Sequence, residues 1–474
     1  MNIFWFTPEL LLILGSLAVF VVALGAGRGR LAAWVTASAG LACLAACAAS
    51  LGWTGDLFFH AYRIDLFSQL FKLLIVLGMT AVTLFGRKLP DIRDDIRPEY
   101  FLFLLLGSLG LMMMVSSVEL MSLVISLEIA SCALYLLVPL RRERPGLRIQ
   151  MESAAKYVMF GLIATGILLF GMSYLFGMTG STYFNEIAPA LAARWSDPVA
   201  VAAIVLTLVG LFFKLAAFPM HVWAPDVYQG AANETTAYIT AVPKVAAVAV
   251  LVRFVLLADP SGRVLVLFLT IVSIASMSFG NLVAIVQRDI KRMFGYSAIA
   301  HAGYVIVGLV TLRETGYAAA IFYIFAFLVM SLPVFLVICQ VSKDGENLLI
   351  DDLAGLHARA PLAALIMAAS LFALAGIPPF VGFIGKFQLM AAALDRGLVT
   401  LVVLVALNTA IGVYYYLNVV RVMYLESAGD RPVVHLDSLS VVLGVILLVV
   451  VVVLGVVPAS LMNAAVSAVR GLTF

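Results

Sequence analysis

The chain has 474 residues, 64% of them hydrophobic and only 12% charged, with a mean hydropathy of +1.12. That balance excludes a water-soluble domain and reads as a polytopic membrane protein. A net charge of +3 without a basic, aromatic-interleaved patch argues against nucleic-acid binding.

About 20 apolar residues are needed to cross a hydrocarbon core. Fourteen runs qualify, at about 8–25, 31–51, 66–86, 99–117, 120–140, 151–178, 198–220, 232–257, 263–286, 292–312, 316–341, 360–392, 398–424 and 439–458. The expected fold is therefore all-α, with about fourteen transmembrane helices. No basic residue precedes the first run, which reads as a retained span and not a cleaved signal. Cys43, Cys47, Cys132 and Cys339 all sit in apolar runs and are expected to be small core residues, not disulfides or metal ligands. No Gly-rich dinucleotide fingerprint follows a strand, so NADH is not expected to bind here.

Lys and Arg in the connections set the orientation. Those after odd-numbered spans carry seventeen, among them Arg87, Arg93, Arg141, Arg144, Arg148, Lys291, Arg292 and Lys343, against six on the other side. This places both termini outside, in a bacterium the periplasm. Six basic residues remain within spans: Lys72, Lys156, Lys214, Lys244, Arg253 and Lys386. Lys72 and Arg253 lie toward span ends and are expected to snorkel to the interface. The other four are expected to lie deep, with Glu128 as the clear acid inside a span and Glu119 near a boundary.

A charged side chain at a helix centre costs roughly 2.5–3.5 kcal/mol on insertion scales, so such groups mark ion pathways by default. Their neighbours form polar stripes at helical spacing: Glu128, Ser131, Cys132 and Tyr135; Ser153 and Lys156; Thr236, Thr240 and Lys244; Ser297, His301 and Tyr304; Asn408, Gly412 and Tyr415. Lysine suits proton transfer because, unlike arginine, it releases its proton inside a protein. Moving a carboxylate from about 4 to about 8 Å from an amine changes the Coulomb energy by roughly 2 kcal/mol at an effective dielectric near 20.

Two spans are interrupted. The seventh runs through Lys214 to Pro219, followed by His221, Trp223, Pro225 and Asp226; the twelfth has Gly376, Pro378 and Pro379 and then Lys386. Each is fourth in a block of five spans, and a block of five reverses orientation when repeated. Paired broken helices in inverted repeats point to an ion site near the membrane midplane. The expected units are helices 1–3 over 1–98, a first five-helix repeat over 99–260, an inverted second repeat over 261–425, and a last helix with its tail over 426–474.

At these residues the chain resembles the antiporter-like membrane subunits of bacterial NADH:quinone oxidoreductase, respiratory complex I. The matching segments are SLEIASCAL with Glu128, ESAAKYVMFG with Lys156, FFKLAAFPMHVWAPDVYQGA with Lys214, VPKVAAV with Lys244, FGNLVAIVQRDIKRMFGYSAIAHAGY with His301, LAGIPPFVGFIGKF with Lys386, and GVYYYLNVV. Within that family it is most similar to the N type: it reads PDVYQG where types M and L have PDAH, and it ends at Phe474 without the long lateral helix of type L. The resemblance implies proton translocation coupled to quinone reduction elsewhere, through Glu128, Lys156, Lys214, Lys244, His301 and Lys386. It implies no cofactor in this chain, with NADH, FMN, iron–sulfur clusters and quinone held by other subunits. Implied partners are subunit M, small subunits K and J, and the lateral helix of L, in the bacterial inner membrane. One departure stands out: where the family has a proline-rich run, residues 231–236 read AANETT and add Glu234. Two other readings use the same residues, a subunit of a multi-subunit cation/proton antiporter and a non-conducting scaffold.

Overall fold

The computed structural model describes residues 3–25, 28–143, 149–195, 197–259, 262–342 and 344–472. Arg144, Arg148 and Lys343, counted above among the basic connections, lie outside these residues.

The helices follow the apolar runs. Before the first repeat come α1 (Thr7–Ala23), α2 (Gly29–Ala49) and α3 (Leu66–Phe85). The first repeat holds α4 (Arg97–Ser116), α5 (Leu120–Leu137), α6 (Ile149–Thr179), a broken seventh crossing, and α10 (Asn233–Val255). The broken crossing is α8 (Pro198–Leu215) followed by α9 (Trp223–Gly230), and α7 (Phe184–Ala192) is a short helix between α6 and α8. The second repeat holds α11 (Arg263–Ala284), α12 (Ile290–Val310), α13 (Glu314–Val341), a broken twelfth crossing, and α17 (Val399–Leu425). There the break separates α15 (Pro361–Ala375) from α16 (Val381–Asp395), after a single turn, α14 (Leu356–Arg359). Then follow α18 (Ser438–Val456) and α19 (Ala459–Arg470). Thirteen helices among the described residues are long and apolar enough to cross a membrane, and α15 with α16 supplies the fourteenth crossing. Three features escaped the sequence reading: α7, α19, and a hairpin of β1 (Gly55–Leu57) with β2 (Tyr62–Ile64). All are too short to span, so a search for long apolar runs passes over them.

Local chemistry starts several helices. Asp65 and Ser68 form a capping box on α3, with Ser68 N donating to Asp65 Oδ1 at 2.6 Å. Glu119 accepts from Met121 N and Ser122 N at the start of α5, and Asp289 accepts from Arg292 N at the start of α12. Asp197 precedes Pro198, the first residue of α8, where a missing N–H costs nothing.

Small residues set the packing between helices. A Cβ on Gly110 of α4 would meet Ala130 N of α5 at 2.5 Å, and one on Gly280 of α11 would meet Ala300 N of α12 at 2.6 Å. The first two helices of each repeat therefore approach backbone to backbone in the same way. The centre of the molecule is α10, α12 and α13, which are almost wholly buried. Apolar side chains such as Leu162 on α6, Leu267 on α11, Tyr414 on α17 and Val449 on α18 face outward, as a lipid-facing surface requires.

Candidate functional site

Both broken crossings stop in the same manner. Helix α8 ends at Ala216 with φ +60°, and α15 ends at Gly376 with φ +86°. A left-handed residue closes a helix but leaves last-turn carbonyls without the partners a continuing helix would supply. In each half a buried lysine occupies them. Lys244 Nζ donates to Leu215 O at 2.8 Å, and Lys386 Nζ donates to Leu374 O at 3.0 Å and Ala375 O at 3.1 Å. The helix C-terminus is the negative end of the macrodipole, which favours a cation there. Gly376 also makes room for the amine, since a Cβ on it would meet Lys386 Cδ at 3.0 Å.

Lys214 is different. It is buried in the last turn of α8, and its Nζ has no hydrogen-bond partner. It lies 5.6 Å from the Phe213 ring centroid and 5.9 Å from that of Tyr135. Glu128 is near enough to act on it electrostatically, but no ion pair joins the two. Glu128 instead accepts from Thr165 Oγ1 of α6 at 2.8 Å. Of its stripe, Ser131 is buried while Cys132 turns to the outer surface, contrary to the expectation of a core cysteine.

His301 sits between two hydroxyls, with Nδ1 2.7 Å from Tyr323 OH and Nε2 3.1 Å from Tyr416 OH. Lys244 and Lys386 are both close enough to act on its charge. The Lys386 amine lies 4.7 Å from the Tyr304 ring centroid. Tyr304 leads on through Asn281, whose amide donates to Tyr304 OH at 3.3 Å and to Asn408 O at 3.1 Å, and which accepts from Tyr415 OH at 3.0 Å. The stripes on α12 and α17 thus meet through a residue of α11 that the sequence reading did not single out.

Lys156 corrects the expectation of a deep amine. Its side chain is 40% exposed and pairs with Asp226 and with Glu152, each at 2.7 Å. Asp226 also receives Arg292 at 2.6 Å, so one carboxylate on α9 ties α6 to α12. The residue stands within the first turns of α6, where helix length alone places it near the interface.

The snorkelling expectation also fails. Lys72 is fully buried and pairs with Glu9 at 2.8 Å, while Tyr62 OH donates to Glu9 at 2.6 Å. Arg253 is buried and pairs with Asp65 at 3.1 Å. Glu9 is thus an acid inside the bundle that was missed, because it reads locally as a first-turn residue of α1. Lys291, counted as a loop residue, is buried as well, with its amine donating to Ala231 O at 2.7 Å. Among the described residues no cluster of three or more His, Cys, Asp or Glu could hold a metal ion.

Comparison with known proteins bears on this arrangement. Residues 117–412 match the family described as NADH:quinone oxidoreductase/Mrp antiporter, TM. The protein of Opitutus terrae named NADH-quinone oxidoreductase subunit N 2 is 48% identical over 97% of this chain and 96% of its own. A chain in the structure of respiratory complex I from Thermus thermophilus superposes with a TM-score of 0.84 at 29% identity, covering 97% of this chain and 99% of that one. A chain of the Mrp complex from Dietzia has the same fold, with a TM-score of 0.88 at 21% identity over 100% and 98% of the two chains. The chain belongs to the NADH:quinone oxidoreductase/Mrp antiporter transmembrane family, among the N subunits of NADH-quinone oxidoreductase.

Proposed function

We propose that this chain translocates protons as a membrane-arm subunit of NADH:quinone oxidoreductase, driven by quinone reduction elsewhere in the complex and with no redox step of its own. The observation that carries the reading is the set of three buried amines near the two helix breaks. Lys214 has no hydrogen-bond partner, and Lys244 and Lys386 are held by backbone carbonyls without a carboxylate. Each amine keeps or loses its proton according to small changes around it, because no carboxylate is paired with it. A static scaffold would pair such charges, as Lys72 and Glu9 are paired here.

In this reading Glu128 modulates Lys214, and Lys244 passes protons toward His301 and Lys386 through the hydroxyls of Tyr416 and Tyr323. Lys156, ion-paired and partly exposed, works at the edge of the relay by biasing Asp226 at the start of α9. The partners are subunit M, small subunits K and J, and the lateral helix of L, which together with this chain would line the membrane arm. NADH, FMN, iron–sulfur clusters and quinone belong to other subunits. The location is the bacterial inner membrane with both termini periplasmic, supported by the basic connections on one side. Exchange of Na⁺ for H⁺ by the purified chain in liposomes would favour a free antiporter instead.

The test is Lys214→Met in the assembled complex in proteoliposomes. Loss of proton pumping with assembly intact is expected. Unchanged protons moved per NADH would remove Lys214 from the relay.

A further inference from the structure

Glu234, in the AANETT run that follows α9, has no part in the relay described so far. It lies in the first turn of α10, and its side chain is buried with Oε2 lacking a hydrogen-bond partner. Leaving a carboxylate oxygen buried without a partner is costly. The side chain rests on the end of α3, where a Cβ on Gly86 would meet Glu234 Cγ at 2.7 Å. It forms part of the wall of a cavity of about 230 Å³, lined also by Phe85, Lys88, Cys339, Ser342 and His435. Phe85 and Ser342 are buried, while Lys88, Val433 and His435 at the other end are exposed. The cavity therefore joins exposed residues, Lys88, Val433 and His435, to buried ones, and Glu234 is among the buried. At roughly 30 Å³ per water, it has room for several.

The charged groups that act on Glu234 are Lys291, Asp91 and Arg141. All three are occupied elsewhere: Arg141 is paired with Asp91 and donates to Asn347 at 2.8 Å and to Gly345 O at 3.0 Å. Lys291 donates to Ala231 O, just ahead of α10. Inward from Glu234 the same helix carries Thr236, Thr240 and Lys244. Thr236 Oγ1 donates to Tyr228 O at 2.9 Å, and Thr240 Oγ1 donates to Thr236 O at 2.7 Å. Ten residues of helix separate Glu234 from Lys244, a rise of about 15 Å.

We propose that Glu234 is the proton-loading group for Lys244, taking protons from water in the cavity between the ends of α3, α10 and α13. This rests on the relay reading above and adds its point of entry. The carboxylate accepts a proton from a cavity water, and the carboxylic acid then gives it up to a second water that, with the Thr236 and Thr240 hydroxyls turned off their backbone carbonyls, hands a proton on to the neutral amine of Lys244. No electron moves, and the carboxylate is restored.

The test uses the whole complex in proteoliposomes and measures NADH-driven proton uptake, with oxidation by an acceptor that bypasses quinone as the control for intact assembly. Lys244→Met is the reference for the relay. Glu234→Gln is expected to slow pumping about tenfold, and Glu234→Asp to keep most of it. Val433→Trp, which fills the exposed mouth and leaves the carboxyl in place, is expected to slow pumping as well. If Lys244→Met abolishes pumping while Glu234→Gln pumps like the parent, the loading role is overturned and the relay stands. If Lys244→Met itself pumps normally, the relay reading fails and the inference with it. Should Glu234→Gln fail to assemble, Val433→Trp decides alone, and normal pumping in it overturns the cavity as the route.

Discussion

Two kinds of buried lysine coexist in this molecule, and they predict opposite mutational behaviour. Lys72 is matched by Glu9 at 2.8 Å with both side chains fully buried. Lys72→Met alone leaves Glu9 uncompensated and is expected to cost about 3–5 kcal/mol of stability. The double variant with Glu9→Gln is expected to recover most of that loss. Thermal unfolding in detergent checks it; equal destabilisation by the single and double variants would contradict the pairing. Lys214 has no such partner, so Lys214→Met is expected to leave stability unchanged or raised. The sequence told these two apart poorly. Position along a span gives depth, but not which neighbour a side chain meets. Lys72 therefore read as a snorkelling residue and Lys156 as a deep one, when the first is sealed in with Glu9 and the second stands partly exposed beside Asp226 and Glu152.

At the scale of elements, the breaks were legible and their chemistry was not. Proline and glycine punctuation located both interruptions, and lysines flanked each one. That Lys244, from the next helix, would cap the end of α8 needed the packing of α10 against α8, which no local pattern encodes. The second break makes a specific prediction. At Gly376 the backbone is left-handed, and an added Cβ would press on the Lys386 side chain at 3.0 Å. Gly376→Ala is therefore expected to lose about 1–2 kcal/mol from backbone strain and to displace the amine from Leu374 O and Ala375 O. Pumping should fall more than stability explains. Measuring both in one preparation checks this; a loss of stability with normal pumping would show that the position of the amine does not matter.

Across the whole molecule, the amines at the breaks lie in the most buried region, beside α10, α12 and α13, while the outer helices carry the apolar face. Fourteen crossings and the all-α class could be read from run length alone, because a bilayer leaves a chain few other solutions. The hairpin, α7 and α19 could not, since none spans. Keeping unpaired charges at the centre should reduce stability in exchange for function. Replacing Lys244 and Lys386 by Met together removes two buried charges but also frees the carbonyls they hold, so the unfolding temperature of the purified complex is expected to stay near that of the parent while proton transport ends. A lowered unfolding temperature would mark the two amines as structural.

The central claim is that these lysines carry protons and do not merely supply fixed charge. Lys244→Arg tests it most directly, because arginine keeps a positive charge near the α8 carbonyls but does not release its proton. Proton pumping per NADH by the reconstituted complex is expected to be as low in Lys244→Arg as in Lys244→Met. Full pumping by the arginine variant, with Lys244→Met inactive, would contradict the account.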